Sequence, residues 1–152
     1  DRVVFALAQL AFWLMAATDG HAKNFSLRHR RGGRFGLTPL YDVLSAWPII
    51  GEGPNHIAYP RAKLAMAIRG EKNPHYHLRD IQPRHWQRPA ASCGPGVWER
   101  MKAMVDSVDR ALEAVASELP VGFPARTWEP ISAGMRRHVQ LFRRAVEADE
   151  GA

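Results

Sequence analysis

The sequence predicts a mainly α-helical domain with one short β-hairpin inserted after the first helix. A nearly uninterrupted apolar run at residues 3–17 predicts a helix. Apolar residues at three- and four-residue steps over 97–119 predict another. Two short runs on either side of Gly32-Gly33 are typical of a hairpin. The 152 residues, 46% hydrophobic and 24% charged, suit one soluble globular domain spanning 1–152.

The first predicted helix reads VVFALAQLAFWLMAA and is apolar on all sides. A membrane span needs about 20 such residues, and this run is shorter and contains Gln9. A signal peptide begins with basic residues, whereas this chain begins with Asp1. We therefore expect the buried central helix of a domain, in a protein without membrane attachment.

A polar loop is predicted after this helix, over Thr18–Asn24. The hairpin follows it, and Gly32-Gly33 suits a tight turn because both central residues need positive φ. The alternation of apolar and polar residues in FSLR predicts a half-buried first strand. We expect the second strand to lead directly to Tyr41-Asp42.

The middle of the chain carries weaker signals. A short helical turn at 43–47, stopped by Pro48, is followed by a loop rich in proline and glycine. The apolar run KLAMAI is equally compatible with a strand and with a buried helix. The segments are a loop at 49–60, the apolar run at 63–68 and a polar stretch at 71–79.

Three helices are expected in the second half. The first opens at Gln82-Pro83, with proline in its first turn, and runs toward Ala91. The second covers 97–119 and is ended by Pro120. For the last helix, Thr127 is the expected N-cap, with Pro130 in the first turn.

The net charge and the cysteine content bear on the possible binding partners and on the cellular compartment. The net charge of +6 permits a polyanionic partner, although a modest positive excess is more often a solvated surface. The single cysteine, Cys93, cannot form an internal disulfide, so we expect a reducing, cytoplasmic compartment.

Three residues carry the most specific chemical signal. Asp19, in a glycine-containing loop, could accept a proton from a hydroxyl group, or could simply stabilise the turn. Asn24 and Asp42 offer the oxygen ligands that Mg²⁺ prefers. Because a hairpin returns the chain to its starting point, the two could converge. Lys23 could stabilise charge in a transition state, or be an ordinary exposed lysine.

The segments DGHAKN and LTPLYDVLSA together resemble the catalytic segment of HipA-type serine/threonine kinases. These kinases are the toxins of bacterial HipBA toxin–antitoxin pairs. The resemblance continues through KLAMAI and IQPRHW and weakly into the last two helices. It implies the helical C-terminal lobe of a kinase-like fold, in which a short hairpin carries the active-site residues.

The resemblance also implies roles for individual residues. Asp19 matches the catalytic aspartate that faces the acceptor hydroxyl. Asn24 and Asp42 match the pair that holds Mg²⁺, and both therefore lie beside the ATP phosphates. The remaining positions implied to line the phosphates of ATP, the phosphoryl donor, are His21, Lys23 and Tyr41.

The family's partners are a small DNA-binding antitoxin of the HipB type and protein substrates that include aminoacyl-tRNA synthetases. DNA contact would then be indirect, through the antitoxin. A glycine-rich phosphate loop with its lysine is not found in 1–152, and Gly51–Pro54 does not replace it. We therefore expect the ATP-gripping N-lobe to lie outside this chain, which alone would bind Mg-ATP weakly. The alternative is a non-catalytic or split-subunit module that docks an antitoxin or a separate N-lobe chain.

Two further clusters have more ordinary explanations. His75, His77 and His85 suggest a metal site, but zinc sites usually combine several convergent cysteines and histidines, so a polar surface loop is favoured. The basic residues 28–31, with Arg34, form the predicted hairpin tip. Such a tip is mostly just solvated, although nucleic acid phosphates or an acidic protein could bind it.

Overall fold

The computed structural model describes residues 1–70 and 73–151 and confirms a mainly α-helical fold. Within these residues there are four α-helices and two small antiparallel sheets of two strands each. No helix among them is long and apolar enough to cross a membrane. In chain order the elements are α1 (Arg2–Leu14), β1 (Leu27–Arg30), β2 (Arg34–Leu37), β3 (Lys63–Arg69), β4 (Pro74–His77), α2 (Arg84–Cys93), α3 (Val97–Glu118) and α4 (Ala125–Glu150).

Helix α1 is the central helix, and it packs against α2, α3 and α4. Its second half is buried on all sides, with Leu10, Phe12, Trp13 and Leu14 almost fully enclosed. Its first turn is more open, since Val4 and Phe5 are exposed. The expectation of a buried central helix is therefore confirmed for the half that leads to the Thr18–Asn24 loop.

Helix α1 ends in a Schellman motif. The Ala17 N–H donates to the Phe12 carbonyl over 2.7 Å, and the Ala16 N–H donates to the Trp13 carbonyl over 3.1 Å. Ala16 has φ of 50°, a left-handed conformation that glycine usually supplies. This motif turns the chain sharply out of the helix and into the loop.

The segment after the first hairpin returns to the same helix end. The Ser45 hydroxyl donates to the Met15 carbonyl over 2.6 Å, and the Trp47 indole N–H donates to the Leu14 carbonyl over 2.9 Å. The helical turn predicted at 43–47 is displaced: a 3₁₀ turn covers Trp47–Ile49 and contains Pro48. Proline fits there because the first turn of a helix needs no N–H donor from it.

His138 of α4 also binds the end of α1. It is fully buried, its ring stacks on Trp13 at 4.2 Å, and Nδ1 lies 2.8 Å from the Trp13 carbonyl oxygen. A carbonyl only accepts, so Nδ1 carries the proton and Nε2 accepts from the Tyr59 hydroxyl over 3.0 Å. Burial lowers the pKa of His138 to about 4, an effect that the Trp13 carbonyl opposes and the Arg137 charge reinforces.

The first hairpin forms where predicted, with positive φ at Gly32 and Gly33. Its turn has three residues, because Arg30 pairs with Arg34. The prediction of a half-buried strand is wrong, since every residue of β1 is exposed. The second strand ends at Leu37, so Tyr41 and Asp42 lie in the irregular segment beyond it.

The second sheet decides between strand and helix for KLAMAI, and it contains one strand that was not predicted. KLAMAI lies in the strand β3, which pairs with β4 in antiparallel fashion. β4 comprises Pro74–His77, so the prediction of a polar surface loop at these residues is wrong. The first two residues of the polar stretch, 71–72, lie outside the described part.

The helices of the second half are confirmed, with shifted ends. α3 matches its predicted bounds to within one residue. α4 begins at Ala125, before the predicted N-cap Thr127, whose N–H already donates to the Pro124 carbonyl over 2.9 Å. Pro130 therefore lies inside α4 rather than in its first turn.

Replacing Gly134 with alanine should destabilise the fold. A Cβ at this position of α4 would overlap Cδ2 of Trp47, the residue whose indole binds the end of α1. We expect Gly134→Ala to lower the free energy of unfolding by about 1–3 kcal/mol, measured by urea denaturation. The exposed neighbour Ala133→Ser is the control, and equal stability of the two variants would contradict this packing.

His138 should make stability depend on pH. Below pH 6.5, the usual pKa of histidine, the unfolded chain takes up a proton that the folded protein refuses until about pH 4. The free energy of unfolding should therefore fall by about 3 kcal/mol from this residue as the pH drops across that window. His138→Asn should lose this component, whereas exposed His29→Asn should keep it. If the free energy of unfolding changes with pH to the same extent in both variants, His138 is not the source of the pH dependence.

Candidate functional site

The loop after α1 holds Asp19 on a rigid base. The Gly20 N–H donates to the Ala17 carbonyl over 3.1 Å, and the His21 N–H donates to the Asp19 carbonyl over 2.9 Å. Gly20 lies so close to the buried ring of Phe12 that a Cβ would approach Cδ2 to 2.5 Å. The backbone is therefore fixed, while the Asp19 side chain is 85% exposed and free to meet a solute.

Asn24 and Asp42 lie in contact. Asn24 ends the 3₁₀ turn Ala22–Asn24 and is buried. Its Oδ1 accepts from the His21 N–H over 3.1 Å, and its Nδ2 donates to Asp42 Oδ2 over 3.0 Å. The two oxygen-bearing side chains thus meet across the base of the hairpin, although 18 residues separate them.

Asp42 adopts an uncommon backbone conformation, with φ of 55°. Aspartate tolerates the left-handed region better than most residues, but this backbone conformation still costs about 1 kcal/mol relative to glycine. In this conformation the exposed Asp42 carboxylate reaches back to Asn24. Strained backbone of this kind concentrates at functional sites.

Tyr41 ties the loop to the segment that carries Asp42. Its hydroxyl donates to the Lys23 carbonyl over 2.8 Å and lies 2.7 Å from Ser26 Oγ. Because the phenol has one proton and gives it to Lys23, Ser26 is the donor in the second bond. Ser26 was not among the predicted site residues, since only the folded hairpin brings it opposite Tyr41.

His21 and Lys23 flank the same loop. His21 Nε2 lies 3.9 Å from Asp19 Oδ1, which allows an ion pair when the ring is protonated but is too long for a hydrogen bond. The Lys23 side chain is exposed. All six predicted site residues therefore lie on one loop and one returning segment.

The arrangement suits a hard cation that needs few protein ligands. Among the described residues, no group of three or more His, Cys, Asp or Glu is placed to hold a metal ion. Asn24 and Asp42 offer two kinds of oxygen, and Mg²⁺ commonly takes one or two protein ligands and completes its shell with phosphate and water. An apolar cavity of about 300 Å³ lies elsewhere, between α1, β3 and α2. The carboxylates of Asp19 and Asp42 are exposed.

Fold and site together define a mainly α-helical domain that presents an amide–carboxylate pair beside an exposed aspartate. The family model of the HipA-like C-terminal domain matches residues 1–116. The chain therefore belongs to the HipA-like C-terminal domain family, and the resemblance drawn from DGHAKN and LTPLYDVLSA is confirmed. The matched range includes both sheets and all six predicted site residues, whereas α4 lies beyond it.

Removing the Tyr41 hydroxyl should loosen the site. Tyr41→Phe deletes both bonds, and we expect the free energy of unfolding to fall by about 1 kcal/mol. Amide hydrogen exchange over residues 22–26 should become faster. Tyr76→Phe is the matched control, because Tyr76 is 43% exposed and Tyr41 is 44% exposed. Unchanged exchange in Tyr41→Phe would show that the hydroxyl does not hold the loop.

Proposed function

We propose that this chain forms the acceptor- and metal-binding side of a HipA-type protein kinase. Such an enzyme transfers the γ-phosphoryl group of ATP to a serine or threonine hydroxyl of a protein. One observation carries the proposal: Asp42, on the returning segment, contacts Asn24, which lies on the same loop as the exposed Asp19. Membership of the HipA-like C-terminal domain family supports it.

The side chains at this point fit a magnesium ion. Asn24 Oδ1 accepts one hydrogen bond, from His21 N–H, and a carbonyl oxygen has a second lone pair. Asp42 uses Oδ2 to bind Asn24, and its Oδ1 has no hydrogen bond within 1–70 and 73–151. Mg²⁺ bound by these residues would neutralise charge on the phosphates of ATP.

In this proposal Asp19 is the general base, a role that its exposed carboxylate supports. As the acceptor oxygen forms its bond to the γ-phosphorus, its proton passes to the Asp19 carboxylate. The bond from phosphorus to the oxygen shared with the β-phosphate breaks, and ADP leaves. Such a reaction depends mostly on positioning and charge, which suits a carboxylate held by a fixed loop.

His21, Lys23 and Tyr41 support this chemistry in different ways. The exposed ammonium group of Lys23 would stabilise negative charge on the transferred phosphoryl group. The Tyr41 hydroxyl donates to the Lys23 carbonyl, so Tyr41 would hold the loop in position beside the phosphates of bound ATP. His21 positions the loop through its backbone and lies beside Asp19.

The biological setting is proposed from family membership. We infer that the protein is the toxin of a toxin–antitoxin pair and binds a HipB-like antitoxin, through which it would meet DNA. An aminoacyl-tRNA synthetase is the class of substrate that this membership suggests. We place the protein in the cytoplasm, as the single cysteine suggests.

Asp19→Asn should abolish phosphoryl transfer in the complete gene product. The substitution keeps the size of the side chain and removes the base, so we expect the rate to fall by about 10²–10⁴-fold. The measurement follows phosphate from γ-labelled ATP into a protein acceptor. The control is Glu52→Gln, which neutralises another exposed carboxylate, outside the site.

The same experiment separates the enzyme from a non-catalytic docking module. A module would bind its partner equally well with either residue at position 19 and would show no transfer in the parent protein. Transfer that survives in Asp19→Asn would overturn the role of Asp19.

A further inference from the structure

The hairpin β1–β2 has two chemically different faces. Residues paired across an antiparallel sheet lie on the same face. Arg28 pairs with Gly36, and Arg30 pairs with Arg34, so these three arginines share one side, which we call the arginine face. The opposite face carries the pairs Leu27–Leu37 and His29–Phe35.

The arginine face is costly for the hairpin itself. Arg30 and Arg34 are direct cross-strand partners, and like charges in this position destabilise a sheet. In the part of the chain that the structure describes, Arg28, Arg30 and Arg34 form no ion pair with an acidic residue. All residues from Leu27 to Phe35 are exposed. A bound anion would remove the repulsion between Arg30 and Arg34.

The hairpin is attached directly to the proposed site. β1 begins shortly after Asn24, β2 leads toward Asp42, and the Ser26–Tyr41 bond closes the base between them. At about 3.3 Å per residue, Arg28 and Arg30 lie at most about 13–20 Å along the chain from Asn24. An extended peptide covers that span with about four to six residues.

We propose that the arginine face binds an acidic segment of the protein substrate, about four to six residues from the hydroxyl that receives the phosphoryl group. The proposal rests on the function proposed above for Asp19, Asn24 and Asp42. Guanidinium groups bind carboxylates through two parallel hydrogen bonds, so two opposed arginines favour a glutamate- or aspartate-rich strand. The hairpin would thereby select substrates by charge.

The distribution of aromatic rings favours a peptide over single-stranded nucleic acid. Proteins that bind single strands combine basic residues with aromatic rings on which the bases stack. Here Phe35 lies on the other face and lines a shallow groove with Phe5, Leu27 and Leu37. The arginine face has charge without a stacking ring.

Binding to this chain can be measured without ATP or phosphoryl transfer. The probe is a short fluorescein-labelled peptide rich in glutamate with a single serine, followed by fluorescence anisotropy at low salt. Arg30→Glu/Arg34→Glu should weaken binding by at least about ten-fold. The matched control, Arg110→Glu/Arg144→Glu, makes the same change in net charge on α3 and α4 and should change the affinity less than about three-fold. A labelled oligothymidylate of similar charge is the second probe.

Each result decides the proposal. A selective loss in the hairpin variant supports it. Equal weakening in both variants, or no binding by the parent chain, overturns it. Tighter binding of the oligothymidylate, lost in the hairpin variant, would assign the arginine face to nucleic acid instead. This assay measures binding and not phosphoryl transfer, so the two proposals can fail separately. A protein that binds the peptide through the arginine face but transfers no phosphoryl group would overturn the proposed function and not the binding of an acidic segment.

Discussion

The structure depends on the way in which the carbonyl groups at the end of α1 are satisfied. A helix leaves its last carbonyls without partners inside the helix, and buried ones are costly to leave unpaired. Here the partners come from three directions: from the turn that follows the helix, from Ser45 and Trp47, and from His138 of α4. This set of bonds fixes the start of the Asp19 loop relative to the segment that follows Asp42.

The side chains that support the candidate site are therefore buried, whereas the carboxylates proposed to react are exposed. His138 packs against both Trp13 and Trp47 in the core, and these three side chains, which we call the frame, all bind backbone carbonyls. Asp19 and Asp42 stand at the surface on backbone that this frame holds. Helix α4 supplies His138 and the close contact of Gly134 with Trp47, although it lies beyond the range matched by the family model. The frame of the site is therefore larger than the matched segment.

Local signals in the sequence predicted those elements whose cause is local. The spacing of apolar residues predicted α3, and Gly32-Gly33 predicted the hairpin turn, because each depends on neighbouring residues. The exposure of β1 was not predictable in this way, since alternation in FSLR indicates burial only if something covers the strand. β4 was missed because PHYH is short and polar and becomes a strand only by pairing with β3.

Local sequence signals are limited in the same way in predicting the contacts of the candidate site. The meeting of Asn24 with Asp42 followed from the hairpin between them, and residue type alone suggested their oxygen ligands. The bond from Tyr41 to the Lys23 carbonyl has no signature in the sequence, because any tyrosine could make it. His138 lies 125 residues from Trp13 in the chain, so only the assembled core reveals their contact.

We propose that Asn24 and Asp42 together hold the metal ion of a phosphoryl-transfer site. The most direct measurement is a crystal structure of the complete gene product grown with Mn²⁺ and a non-hydrolysable ATP analogue, in which anomalous scattering locates the metal. If both residues hold the metal, the anomalous peak will lie in direct contact with Asn24 Oδ1, with the Asp42 carboxylate and with phosphate oxygens. An ordered analogue whose metal touches neither residue would contradict it.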